Sequence, residues 1–271
     1  MRNIRCTIAY DGTKYDGWQR QGNTDNTIQG KIEHMFSKML GAGIEIHGAG
    51  RTDAGVHAMG QVFHFYTETD RKLPELLRDA NSYLPQDMSI LSMQEMPQRF
   101  HSRLNAVSKW YRYVIDNNAY ADVFSRRYAW HITDKLDTER MQQAAEQLAG
   151  THDFKSFCAN RRMKKSTVRT LYGIRIAAES FPAAAYGAEK LCLDFYGDGF
   201  LYNMVRILAG TLVEAGLGQR AAQDMTAVLR GKDRELAGVT APPQGLFLMK
   251  VGYPGEECII PDEVRRAGMQ E

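Results

Sequence analysis

Along the first hundred residues, stretches that alternate apolar and polar positions give way to stretches with helical spacing, and back again. Residues 3–10 place Ile4, Cys6, Ile8 and Tyr10 on one side, the period of a half-buried strand. From Asn26 onward Ile28, Ile32, Met35, Phe36, Met39 and Leu40 recur every three or four residues, and Gly41 ends the pattern, which predicts a helix. Residues 44–47 and 61–66 read as strands, 73–84 as a helix with Pro74 tolerated in its first turn, and 88–96 as a further strand.

The alternation resumes after residue 107. Residues 109–115 are strand-like, and Asp137 can cap a helix that carries Met141, Ala144, Ala145 and Leu148 before Gly150. Residues 168–178 and 191–196 read as strands, 200–215 and 221–229 as helices, and 246–251 as a closing strand. The pattern predicts two α+β halves, residues 1–105 and 106–253, followed by a tail over 254–271. No Pro- or Gly-rich linker separates the halves, and no sequence repeat relates them.

Composition narrows the class. With 44% hydrophobic and 24% charged residues, the chain can form a real core. It has no apolar run long enough to span a bilayer and no apolar block of a secretory signal at its start. Its four cysteines (Cys6, Cys158, Cys192, Cys258) lie far apart, which fits reduced thiols in the cytoplasm better than a disulfide framework or a zinc knuckle.

Net charge is only +2, but it is unevenly placed. Residues 253–271 hold five acids and two arginines, a net −3, which leaves the remainder at +5. Arg161, Arg162, Lys164, Lys165 and Arg169 put five cations and no acid into nine residues. Residues 99–127 add six cations against Asp116 and Asp122, interleaved with Trp110, Tyr111 and Tyr113. One basic run alone is ordinary solvated loop. Several interleaved with aromatics fit a polyanion-binding face.

The most unusual segment is GAGRTDAGVHA, residues 48–58. It begins like a dinucleotide fingerprint, but Asp53 occupies the third glycine position, where a carboxylate would repel a pyrophosphate, so that reading fails. What remains is a compact glycine turn that lifts Asp53, with Arg51 beside it and little side-chain bulk around it. An aspartate in such a turn can serve chemistry, or simply accept backbone N–H bonds. In the strand around SKWYRYVI, Tyr111, Tyr113 and Ile115 share one face, while Trp110, Arg112 and Val114 share the other. Tyr113 reads as a core aromatic; Tyr111, nearer the polar start, could stack on an exposed base. In GFLYNMVRILAGTL, Tyr202, Asn203, Arg206 and Gly210 form a stripe with a polar head and a small floor, as on a helix lining a cleft. Arg206 there either needs an acidic or phosphate partner or snorkels to solvent. The histidines lack metal-ligand spacing, and no phosphate loop or nucleophile elbow is present, so neither a metal nor a nucleotide cofactor is expected.

YDGTKYDGWQRQ (residues 10–21), GAGRTDAGVHA, NSYLPQD (81–87), RFHSRLNAVSKWYRY (99–113) and GFLYNMVRILAG (199–210) follow one another in this order. Together they closely resemble the tRNA pseudouridine synthase A family over residues 1 to about 253. The resemblance implies two α+β halves with mainly antiparallel, RNA-recognition-like sheets and an active-site cleft between them. It also implies a homodimer that grips tRNA and isomerises uridines 38, 39 and 40 of the anticodon stem-loop. By the same resemblance Asp53 is the catalytic aspartate, Tyr111 packs against the target base, Arg206 pairs with the aspartate, and Arg51 works near the flipped nucleotide. Arg161, Arg162, Lys164 and Lys165 are expected to contact RNA. Such an isomerisation involves no redox change, hydrolysis or energy input, in keeping with the missing cofactor motifs. Whether the aspartate attacks C1′ or deprotonates the sugar stays open at this level. Two other classes compete: a non-catalytic RNA-binding protein that uses Asp53 structurally, and a small-molecule enzyme with Asp53 as general base.

Overall fold

Thr27 accepts the N–H of Gly30 at 3.2 Å, and Gly41 adopts a left-handed φ of 65°; between these two caps lies helix α1, Ile28–Leu40. The computed structural model describes residues 1–160, 162–180 and 189–267. Its other elements up to the middle of the chain are β1 (Arg2–Tyr10), β2 (Ile46–Gly48), β3 (His57–Thr67), α2 (Leu73–Tyr83), β4 (Met88–Met96), β5 (Ser108–Asp116) and β6 (Trp130–His131). Then follow α3 (Thr138–Glu146), β7 (Gly150–Asp153), β8 (Val168–Ser180), β9 (Glu189–Gly197), α4 (Met204–Gly216), α5 (Asp224–Gly231), β10 (Leu246–Gly252) and α6 (Asp262–Ala267).

The chain divides into two compact units, Met1–Val107 with Phe247–Glu256, and Ser108–Leu246 with the residues from Glu257 onward. The chain thus returns to the first unit after leaving it, and β10, which element order alone assigns to the second half, belongs with the first. Residues 254–271, expected as a tail, are also corrected in part. Ile259, Ile260 and Val264 are buried in a cluster with Tyr196, against Trp110 and Tyr172. The physical reason is that three apolar residues spaced through an otherwise charged segment suffice to cover an apolar sheet face.

In the first unit β1 runs antiparallel between β3 and β4. The start of β3 pairs with β10 in parallel, and its end pairs with β2 antiparallel. Ile4, Cys6 and Ile8 are fully buried, as their alternation requires. Phe36 of α1 packs on Phe63 and Phe65 of β3, with ring centroids 6.3 and 4.5 Å apart. Asn81 of α2 donates to the Ile90 carbonyl and accepts the Ile90 N–H, both at 2.8 Å, which fastens the helix to β4.

In the second unit β5, β9, β8 and β7 form an antiparallel sheet in that order, and β6 adds in parallel at the end of β5. Asp137 caps α3 by accepting the N–H groups of Glu139 and Arg140. Helix α4 is buried along nearly its whole length. It starts at Met204 and not near Phe200, because Asn203 adopts a left-handed φ of 59° that a helix cannot continue. Gly210, expected as the floor of a cleft, instead lets the backbone carbonyl of Val239 sit against the helix in the space a Cβ would fill.

Candidate active site

Asp53 sits in the turn between β2 and β3, and the segment after β1 fixes that turn from several directions. Trp18 N–H donates to the Thr52 carbonyl at 3.0 Å. The Tyr10 hydroxyl and Thr52 Oγ1 share a buried hydrogen bond of 2.8 Å. Gly55 N–H reaches the Tyr15 carbonyl at 3.4 Å, and buried Gln61 donates to the Gly50 carbonyl at 3.1 Å. The turn closes on itself where Val56 N–H donates to the Asp53 carbonyl at 3.1 Å and Gly55 takes a left-handed φ of 76°. The side chain of Asp53 is half-buried, that of Arg51 is exposed, and Ala54 and Gly55 beside them add almost no bulk.

Close backbone approach makes this clamp possible. A Cβ on Gly12 would overlap the Val56 carbonyl, and one on Gly48 would lie 2.6 Å from the Trp18 indole nitrogen. Trp18 and Gly17 also hold the start of α1, since their carbonyls accept the N–H groups of Gln29 (2.9 Å) and Ile28 (3.1 Å). The Tyr15 hydroxyl donates to Asp87 at 2.6 Å, and Asp11 N–H donates to the Asp87 carbonyl at 2.9 Å. Three of the sequence motifs therefore meet here: residues 10–21 brace the Asp53 turn, and Asp87 of NSYLPQD braces residues 10–21. Burial pushes the Tyr10 and Tyr15 phenols well above their usual range, so both remain protonated hydrogen-bonding struts. Sequence reasoning placed Asp53 and Arg51 but gave Tyr10, Tyr15, Trp18, Thr52 and Asp87 no task; only their membership in the motifs pointed to them.

Tyr111 and Arg206 lie in the second unit. The Tyr111 ring, 7% exposed, meets Phe200 edge-on with centroids 5.2 Å apart. Tyr113 on the same face of β5 is fully buried, and its hydroxyl donates to the Pro242 carbonyl at 2.8 Å, as a core aromatic. Arg206 is partly buried and does not simply snorkel. Its Nε donates to the Ala241 carbonyl at 2.7 Å and its Nη1 to Asn203 Oδ1 at 3.2 Å, while Ala241 N–H returns to the Arg206 carbonyl at 3.0 Å. Asn203 thus has its backbone in the left-handed region and its side chain on the guanidinium. It was grouped with Arg206 by spacing, but its anchoring task was not foreseen.

Of the basic run, Arg161 lies outside the described residues; Arg162, Lys164 and Lys165 are exposed. Ahead of the run, Ala159 N–H donates to the Tyr202 carbonyl at 3.1 Å, next to the start of α4. The second unit thus carries exposed Arg162, Lys164 and Lys165, exposed Tyr202 and the anchored Arg206. Among the described residues, no group of three His, Cys, Asp or Glu side chains is placed to hold a metal ion. No described helix is long and apolar enough to cross a membrane.

A family model described as tRNA pseudouridine synthase matches residues 7–105 and 144–254, more than half of the chain. Asp53, Arg51 and Arg206 fall inside those stretches, and Tyr111 falls between them. The chain is 43% identical over 253 residues to tRNA pseudouridine synthase A of Brevibacillus brevis, covering 93% of this chain and 100% of that protein. It is 45% identical over 255 residues to tRNA pseudouridine synthase A of Listeria innocua serovar 6a, with the same coverage. With tRNA pseudouridine synthase A 2 of Bacillus anthracis the identity is 43% over 255 residues, again covering 93% and 100%.

Proposed function

Because the chain belongs to the tRNA pseudouridine synthase family, an RNA isomerase family, we propose that it converts uridine to pseudouridine at positions 38, 39 and 40 of the tRNA anticodon stem-loop, with Asp53 as the catalytic carboxylate. The observation that carries this reading is the Asp53 turn itself. A carboxylate is raised on a glycine turn, half-buried, and braced by Thr52, Trp18, Tyr10 and Tyr15. A loop acid with only a turn-forming task does not need bracing of this kind.

In the reaction the N1–C1′ bond breaks, the uracil turns, C5 joins C1′, and the proton on C5 leaves while N1 gains one. Asp53 attacks C1′, or takes a proton from the sugar as the uracil departs; either task requires an ionised carboxylate fixed near the ribose. A uridine stacked in a stem is out of reach and has to be extruded. Arg51, exposed beside Asp53, is suited to the vacated position or to a phosphate. Arg206 is the cation of the reaction, and two hydrogen bonds already fix the plane of its guanidinium. Tyr111 holds the detached base. Arg162, Lys164 and Lys165, with Arg161, meet the phosphate backbone. The protein works as a homodimer in the cytoplasm.

Incubation of the purified protein with an unmodified tRNA transcript, followed by mapping of modified positions, tests the reading. Pseudouridine at 38, 39 or 40 supports it. Pseudouridine elsewhere removes the site assignment, and none at all leaves a non-catalytic RNA-binding protein.

A further inference from the structure

The loop over residues 117–127, in the second unit, turns Asp122 and Ser125 inward and its large apolar side chains outward. Its single acid, Asp122, turns inward. Beneath it Lys190, 1% exposed, lies 2.9 Å from Asp116 Oδ1 and 3.2 Å from Asp122 Oδ2. Asp116 also accepts the Asp122 N–H at 2.9 Å and the Asn118 amide at 2.6 Å, and Ser125 Oγ donates to Asp122 at 2.9 Å. A buried lysine matched by two carboxylates, each with further hydrogen bonds, fixes the loop in one conformation. On the outer side stand Tyr120, 88% exposed, Phe124, 70% exposed, and Val123, 58% exposed, together with the exposed Arg126 and Arg127.

Scattered exposed apolar residues are common on protein surfaces. Two aromatic rings and two guanidinium groups within eight residues, on a loop whose only carboxylate is neutralised from below, are a different arrangement. We propose that this loop is an RNA-contact platform apart from the isomerising site: Tyr120 and Phe124 stack on unpaired bases of the tRNA substrate while Arg126 and Arg127 meet adjacent phosphates. The inference rests on the reading of tRNA as substrate and adds a contact to it.

Three physical points favour an RNA occupant. Aromatic faces combined with cations are what unpaired nucleic acid requires, since every base has a stacking face and every linkage a charge. A stable interface with a second copy buries roughly 800 Å² per partner, more than the three apolar side chains of this face supply. The braced loop has little conformational freedom left to lose, so even a small contact yields net affinity. Under the loop lies a hollow of about 370 Å³, lined in part by Asp116, Asp122, Arg126, Trp130 and Gln244. The loop also lies between the two stretches that the family model matches.

The test uses the full chain with Tyr120→Ser and Phe124→Ser combined, and with Tyr120→Trp. Steady-state kinetics on an unmodified tRNA transcript are read alongside melting temperature and molar mass by light scattering. The double variant is expected to raise KM about tenfold or more, with kcat within about twofold. Tyr120→Trp keeps the parental KM, and mass and melting temperature do not change. An unchanged KM overturns the proposal, as does a loss of mass, which would assign the face to a second copy. If the double variant melts early, Tyr120→Ser alone decides by the same KM criterion. If no variant, including the parent, isomerises tRNA, the reading of the active site fails; filter-binding Kd on the same transcript then decides the platform separately.

Discussion

Gly17 and Asp53 are in backbone contact: a Cβ added to Gly17 would lie 3.2 Å from the carbonyl carbon of Asp53 and 2.9 Å from the carbonyl oxygen of Thr52. Gly17 also adopts a left-handed φ of 94°. No other residue type serves both needs, so the position of the carboxylate depends on a glycine 36 residues earlier in the chain. Gly17→Ala is expected to cost about 1–3 kcal/mol of stability. Because the strain falls on the turn itself, kcat should fall further than the melting temperature predicts. Parental kcat in a folded Gly17→Ala protein would show that the turn tolerates displacement.

Arg206→Ala removes the two hydrogen bonds that the side chain makes to Ala241 and Asn203. Loss of charge-assisted bonds of this kind predicts about 2 kcal/mol of destabilisation, read by urea melts. Activity is expected to fall by two orders of magnitude or more, about the scale of a lost electrostatic partner. Arg206→Lys, which keeps the charge but not the planar fork, should recover little of it. A fully active Arg206→Ala protein would remove this residue from the mechanism.

Val264 fills the space over Gly173, where a Cβ would come within 2.6 Å of Val264 Cγ1. Replacing it by aspartate puts a carboxylate into the cluster with Tyr196 and Trp110. We expect about 2–4 kcal/mol of destabilisation and a parental kcat for the fraction that remains folded. No change in the urea midpoint would mean that the C-terminal segment adds nothing to the second unit.

His64 is fully buried, and its Nδ1 accepts the N–H of Ser102 at 3.2 Å. Burial first, then the neighbouring His101 and His47, push its pKa down from 6.5 to about 4. An unfolded chain therefore binds this proton near pH 6.5 while the folded protein refuses it until about pH 4. Stability is fully present above the unfolded value and is lost as pH falls through this window. Urea midpoints should decline from pH 7 to pH 4.5, and less steeply in His64→Phe. Parallel slopes for the two proteins would assign the acid sensitivity to other groups.

Elements with strong local signals were legible in advance. Helix α1 shows its apolar spacing from Ile28 and its end at Gly41, and β1 alternates without exception over Ile4, Cys6 and Ile8. Strands β6 and β7, of two and four residues, are too short for any period to register. The start of α4 was misplaced because the left-handed backbone of Asn203 interrupts a run whose hydrophobicity continues through it. The return of β10 to the first unit depends on parallel pairing of Phe247 and Leu248 with His57 and Ala58, which no local pattern encodes. At the candidate site the chemistry-bearing residues stood out by type and spacing. Their supports did not, because Tyr10, Tyr15 and Asp87 act through contacts that join distant segments.

Asp53→Asn keeps the size of the side chain and removes only its ability to carry negative charge, so it tests the central claim most directly. The measurement is tritium release from tRNA labelled at uracil C5, taken in single turnover, alongside tRNA affinity by filter binding. The account predicts that release falls by about 10³-fold or more while Kd stays within about threefold of the parent. Near-parental release at equal affinity would contradict it.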